Sequence, residues 1–333
     1  MSFAYIGKHK KYSEKNTSLF KRHFHLIIII FLILSSYLLG VFFEFLKSYP
    51  EHFTLSTSAF WEKSIKFINV NYYDQLELFK FYLLKYFMLP IKGFFISIPW
   101  PWFIFILVLL GWYYGRAKLA ILNLILLAFI VINGLWLKAM VTIYLCGASV
   151  ILACLIGIPL GIWGGLNDRA NKILSSITDT LQTLPSFVYL IPVVMLFRVG
   201  DFTAMLAVIL YSLAPAVKYT IHGIRSINSE IIDAGKANGC NNRQLLFNIR
   251  LPLALPEILL GINQTIMLAL SMLVITALVG TRELGQEVYI ALTKADIGRG
   301  LVAGLCVAFI AIISDNLIKS ASKKMKLKYG FSL

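Results

Sequence analysis

The sequence predicts an all-α, polytopic transmembrane helix bundle of about eight spans, and three observations carry that prediction. Hydrophobic residues fill 59% of the 333 positions and charged residues only 14%, giving a mean hydropathy of +0.78. Several apolar runs approach or exceed the length that crosses a hydrocarbon core of roughly 30 Å. Lys and Arg gather between alternate runs, as membrane topology demands.

The first run, 26–46, follows a basic stretch (Lys8, Lys10, Lys11, Lys15, Lys21, Arg22). It is too long for the core of a cleaved signal peptide and lacks a small-residue cleavage site, so a retained first span is expected. Residues 47–98 mix Lys and Glu with aromatics, too polar to span, and read as amphipathic helices along a membrane surface. The next apolar stretch is read as spans at 100–115, which is short, and 117–135, with Arg116 and Lys118 in the inner segment near 116–118; 100–135 could also be divided differently. The remaining expected spans are 139–165, 180–199, 202–219, 254–280 and 300–319.

Within 139–165, Ser149, Ala153, Gly157, Gly161 and Gly165 recur every four residues. Such a stripe allows close helix approach in lipid. It fits a moving interface and static packing equally well. Pro159 would kink this helix. Pro185 and Pro192 do the same in the fifth expected span, beside Gln182, Phe187 and Tyr189.

With the N-terminus inside, the inner segments hold 20 of the 31 Lys and Arg and 7 of the 16 acids. The inner face is then +13 and the outer +2, so both termini are expected in the cytoplasm. The net charge of +15 is thereby topogenic, and no nucleic-acid role is implied. Cys146, Cys154, Cys240 and Cys306 form no metal-ligand spacing, and no metal or cofactor is expected. Ionisable residues inside the runs are scarce, with Glu257 and Asp315 close to expected cytoplasmic ends. Ion-coupled carriers place such groups at mid-membrane. Energy is therefore expected from elsewhere.

The segment EIIDAGKANGCNNRQLLFNIRLP, 230–252, joins the sixth and seventh expected spans. A short helix ending at Gly239 can lie along the membrane, since Gly permits the left-handed turn that closes it. Pro252 falls where the next helix begins, a place Pro tolerates. The small residues Ala234, Gly235 and Ala237 would let a partner surface approach. Asp233, Ala234, Gly235, Gly239, Ile249, Leu251 and Pro252 keep every spacing of E-A-A-x3-G-x9-I-x-L-P. In that loop the chain resembles the permeases of ABC importers. Two positions depart, Asp for Glu and Gly for the second Ala, the latter lowering helix propensity by about 1 kcal/mol.

GIPLGIW (157–163), DTLQTLPSFVYLIPVVMLF (179–197), LPLALPEILLGINQTIMLALSM (251–272) and LGQ (284–286) extend the likeness to the glycine betaine/proline betaine importer branch, over about 95–319. The resemblance implies an inner-membrane permease of a bacterium, driven by a separate ABC ATPase that docks on the loop. It also implies an extracytoplasmic solute-binding protein and a symmetric pair of permeases in lipid. The sequence has no G-x-x-x-x-G-K-[ST] phosphate loop, so ATP hydrolysis and any other catalysis are expected in a partner rather than here.

The expected organisation is a basic cytoplasmic tail (1–25), an extra span with an amphipathic segment (26–98), the importer domain (99–320) with its cytoplasmic loop (221–252), and a tail (321–333). Gln182, Phe187 and Tyr189 would suit a path for a methylated cation, since quaternary ammonium groups bind aromatic faces. Asn263, Gln264 and Thr265 are further path candidates, because amides in lipid need partners or water. Lipid-facing packing and interhelical hydrogen bonding are the competing readings of these six residues. Leu284, Gly285 and Gln286, with acids at 283, 287 and 296, would lie on the outer face, as a binding-protein contact, part of a gate or a plain loop. The alternatives are an importer permease for another small solute, an amino acid or sulfonate, and a stand-alone secondary carrier.

Overall fold

The computed structural model describes residues 4–43 and 53–328, with side chains within 23–43 and 53–325. The last three residues of the first expected span, the start of the expected amphipathic segment (47–52) and the end of the expected tail 321–333 lie outside the described residues, as do the side chains of the first 22. The chain forms two units that divide at residues 64 and 65.

The first unit holds α1 (Ala4–Phe42) and the start of α2 (Ser58–Asn71). The apolar part of α1, His23–Phe42, is 20 residues long. At 1.5 Å per residue that reaches about 30 Å, one bilayer core.

The second unit carries the rest of α2 and twelve more helices: α3 (Tyr73–Leu83), α4 (Leu89–Ser97), α5 (Trp100–Ile132), α6 (Trp136–Leu166), α7 (Asp168–Thr183), α8 (Ser186–Phe197), α9 (Asp201–Arg225), α10 (Ser229–Ala237), α11 (Asn242–Gln244), α12 (Leu251–Thr276), α13 (Leu284–Lys294) and α14 (Ile297–Lys328). No strand occurs among the described residues. The core is built on α6, α9 and α12, with Tyr144, Leu145, Met205, Val208, Met272 and Leu273 almost fully buried.

Six helices among the described residues are long and apolar enough to cross a membrane, or seven if α7 and α8 make one bent span. The sequence led to about eight. The difference lies in α5, which is one helical stretch by length but turns back on itself at Arg116 (φ 58°, ψ −159°). Asn123 Nδ2 donates to Leu107 O at 2.9 Å, so the two arms lie side by side, each the counterpart of one short expected span.

The expected fifth span is also different. Its first residues belong to α7, an amphipathic helix burying Ala170, Leu174 and Thr178 at four-residue spacing. Leu184 is extended (ψ 135°) ahead of Pro185, as a residue before proline prefers, and α8 leaves at 96° to α7. A helix of 12 residues is too short to span alone.

The small-residue stripe of α6 lies against α9. A Cβ on Gly157 would fall 2.8 Å from Ala216 Cβ, and one on Gly161 would fall 2.5 Å from Thr220 Cβ. In lipid, where apolar burial drives little, such close backbone approach is itself the source of association.

Candidate coupling loop and translocation path

Call the end of the bundle that carries α10 the loop end, and the opposite one the far end. At the loop end α9 stops at Arg225, whose NH2 donates to Gly164 O (3.1 Å) and to Asp168 (2.7 Å). The first bond satisfies a carbonyl near the end of α6, and the charge suits the negative end of that helix.

Asn228 caps α10, its side chain accepting from Glu230 N at 3.0 Å. The helix closes in a complete Schellman turn. Cys240 N donates to Gly235 O (3.1 Å) and Gly239 N to Lys236 O (2.9 Å), while Gly239 takes φ +80°. The left-handed turn read from the sequence at Gly239 is therefore present.

Asn241 and Gln244 then form a reciprocal capping box at 2.9 and 2.8 Å. A π-helical turn, Leu245–Arg250, leads into α12, with Pro252 in its first turn. Pro252 has no N–H to offer four residues back, and the widened turn accommodates its ring.

Gly235 is buried, whereas Asp233, Ala234, Ala237 and Gly239 are exposed. Gly235 therefore faces its own chain, not a partner: a Cβ there would meet Ile249 Cδ1 at 2.6 Å and Leu245 Cδ2 at 2.9 Å. Ile249 thus packs against α10. Asp233 pairs with Lys236 at 3.2 Å on the surface, a contact of little weight. The free face of α10 presents Ile231 and the small Ala234 and Ala237.

The path candidates do not converge on one point. Gln182 is exposed and accepts from Lys218 Nζ of α9, which also pairs with Asp179 at 2.5 Å. Phe187 is exposed. Tyr189 is buried, donates to Leu181 O across the α7–α8 bend, and stands edge-on to Tyr211 at 6.0 Å. On α12, Asn263 and Thr265 turn inward. Asn263 Nδ2 donates to Asp315 at 2.6 Å, and Thr265 donates to Gly261 O at 2.9 Å. Gln264 is exposed on the other side of that helix. Ser271 and Leu278 are exposed at seven-residue steps from it, so these three form one stripe.

At the far end the acids at 283 and 287 are not surface groups. Glu283 is wholly buried and Glu287 is 5% exposed. Glu283 accepts from Gly285 N at 2.5 Å and from Thr281 and Thr142 near 3.5 Å. Burial raises its carboxyl to about 7 against those donors. Glu287 bonds Lys138 of α6 and Arg299 of α14. The spacing in sequence gave no sign of this network, because Thr142 stands 141 residues from Glu283. The polar residues in the first turns of α6, Lys138 and Thr142, are the one clue.

The model of binding-protein-dependent transport system inner membrane components matches residues 157–327, just over half of the chain and all of the 230–252 loop. The chain belongs to that family. Among the family's curated proteins it is 35% identical, over 99% of its length, to the trimethylamine N-oxide transport system permease protein TmoV of Pelagibacter ubique. It is 37% identical over 68% of its length to the glycine betaine/proline betaine permease ProW of Escherichia coli. It is also 37% identical over 65% of its length to the glycine betaine permease OpuAB of Bacillus subtilis. The chain spans 47% of the first of these proteins, 64% of the second and 77% of the third. Its six or seven helices able to cross a membrane, among the described residues, agree with a multi-pass inner-membrane component.

Proposed function

We propose that this chain is the transmembrane permease subunit of an ATP-driven importer for glycine betaine or a related quaternary-ammonium osmolyte. The observation that carries the reading is α10. It is a short exposed helix, capped at both ends by its own side chains and backbone, held by Ile249 on one side and bare on the other, at the position the family pattern keeps. A rigid projection with small residues on its free face suits insertion into a groove of a separate ABC ATPase. Asp233, Ala234, Gly235, Gly239, Ile249, Leu251 and Pro252 build it: Ala234 offers contact, Gly235 and Ile249 brace it, and Gly239 ends it.

Two such chains would work as a symmetric pair in the bacterial cytoplasmic membrane, with the loop end and both termini in the cytoplasm. The Lys and Arg bias supports that orientation. An extracytoplasmic binding protein would deliver solute at the far end. The exposed Gln264–Ser271 stripe and the aromatic bend at Phe187 and Tyr189, with Gln182 at its edge, would border the path. Asn263 and Thr265 support that wall from behind. Glycine betaine and trimethylamine N-oxide, the solutes in the relatives' names, both carry a nitrogen with three methyl groups. Such a head needs apolar and aromatic surroundings more than charge.

The test is uptake of labelled glycine betaine and labelled trimethylamine N-oxide into proteoliposomes holding this chain, its ATPase and its binding protein. Uptake of either solute is expected only with ATP inside the vesicle compartment that the ATPase faces. Equal uptake by the chain alone without ATP would overturn the reading in favour of a carrier.

A further inference from the structure

The half-helix α8 ends at the far end with carbonyls that have no helical partners. Residues from α2 and α3 supply some of them. Asn69 Nδ2 donates to Met195 O at 3.4 Å, and Lys80 Nζ donates to Phe197 O at 3.0 Å. Lys80 is only 19% exposed, so its charge meets the negative end of the α8 dipole largely out of water. Glu77 partners it at 3.1 Å.

Beyond α8 the backbone turns through two positive-φ residues, Arg198 (62°) and Gly200 (138°), into α9. The first residue of α9, Asp201, pairs with Lys92 of α4 at 2.7 Å, and the same ammonium lies 5.8 Å from the ring of Tyr144 in α6. Gly200 N donates to Val279 O beyond the end of α12 at 2.9 Å. The segment that supplies these groups is itself seated through Met88, which is fully buried in the core. It therefore grips the far ends of α6, α8 and α9, and through Gly200 reaches α12.

The other arm of the bend is held differently. Lys218 of α9 ties α7 by Asp179 and Gln182. The break at Leu184–Pro185 thus lies between two fixed arms.

We propose that residues 65–97 are a clamp on the far end of the broken span, with Lys80 and Lys92 as positioning residues for transport. The proposal rests on the permease reading above. The clamp keeps α8 in place when force enters through α10, so that motion is directed to the bend at 184–185. With the clamp loosened, α8 follows the force passively, and ATP is hydrolysed with less solute moved. All of these residues precede position 157, where the family model begins.

The test compares wild type, Lys80→Met, Lys92→Met and the exchange Lys92→Asp with Asp201→Lys, in proteoliposomes with ATPase and binding protein. Labelled glycine betaine and trimethylamine N-oxide serve as probes. Each single variant is expected to lower uptake per ATP hydrolysed about fivefold or more, while the rate of hydrolysis stays within twofold of wild type. The exchange should return at least half of the lost ratio, which a variant that merely unfolds would not do. Single variants with the wild-type ratio, or an exchange no better than Lys92→Met, would overturn the clamp. If wild type moves neither solute, the solute reading fails by itself. The clamp is then read from the distance between spin labels at the exposed positions 79 on α3 and 195 on α8. It is expected to stay fixed on ATP binding in wild type and in the exchange and to change in Lys92→Met; a distance that changes in wild type, or stays fixed in Lys92→Met, would overturn the clamp.

Discussion

Gly235 lies so close to Ile249 that a Cβ on it would fall 2.6 Å from Ile249 Cδ1. The family pattern has Ala at this position, so two effects oppose one another on replacement. Helix propensity favours Ala by about 1 kcal/mol. The crowding involves only the ends of two flexible side chains, Ile249 Cδ1 and Leu245 Cδ2, which can withdraw. Gly235→Ala is therefore expected to be near neutral in melting temperature and in transport. Gly235→Ala with Ile249→Val, which removes the clashing methyl, should be more stable than wild type. Gly235→Leu should lift α10 from the π turn and abolish coupled uptake while the spans remain folded, as circular dichroism and uptake assays would show.

Gly239 differs from Gly235 in having open space where a Cβ would go, so only its backbone matters. At φ +80° a β-branched residue is strained, at a cost of about 1 to 2 kcal/mol. Asn tolerates the left-handed region. Gly239→Asn should retain most uptake, whereas Gly239→Val should unwind the Schellman turn. Its overall melting should change little, because the site is exposed, but uptake per ATP should fall at least tenfold, the loss expected for about 1.4 kcal/mol of coupling. A Val variant with wild-type uptake would show that the turn has no part in coupling.

How much of this was legible depended on whether the deciding contact was local. The turn at Gly239, the start of α12 at Pro252 and the break of the apolar run at Arg116 all rest on residues a few positions apart. The bend between α7 and α8 was hidden because the apolar run continues through it. Only the four-residue spacing of Ala170, Leu174 and Thr178 separates an amphipathic helix from a span. The even choice between packing and motion for the α6 stripe needed the identity of its neighbour, α9. Gly235 looked like a partner-facing small residue, and the reason it faces inward, Ile249, sits across a turn. The burial of Glu283 depends on Thr142, a contact that no pattern in either segment announces.

Glu283 gives a pH dependence with a defined sign. Its carboxyl titrates at about 7 in the folded chain against 4.5 for an unburied Glu, because burial disfavours the charge. Between those values the folded state holds the proton that the unfolded state has released. Stability is therefore highest at acid pH, falls as pH rises from 4.5 towards 7, and then levels, by an amount on the order of 3 kcal/mol. Glu283→Gln keeps an acceptor for Gly285 N and offers its amide to the hydroxyls of Thr142 and Thr281. Melting in detergent at pH 5 and pH 8 should differ less in the variant, which should equal or exceed wild type at pH 8. An unchanged difference would assign the pH response to other groups.

Gly161 and Thr220 provide the strictest packing test. A Cβ on Gly161 would lie 2.5 Å from Thr220 Cβ and 2.9 Å from Val217 O, and neither atom is the free end of a flexible side chain. Thr220 is further fixed by donating to Ala216 O at 2.7 Å. Relief requires α6 and α9 to separate, so Gly161→Ala should destabilise the bundle by about 1 to 3 kcal/mol, the usual range for overpacking. The partner change Thr220→Ala removes the crowding methyl, 2.9 Å away, but leaves the Cβ and the Val217 carbonyl in place. The double variant should therefore recover only part of the loss. Full recovery in melting would mean that the side chain, not the backbone approach, sets the α6–α9 distance; partial recovery is what close packing of two backbones requires.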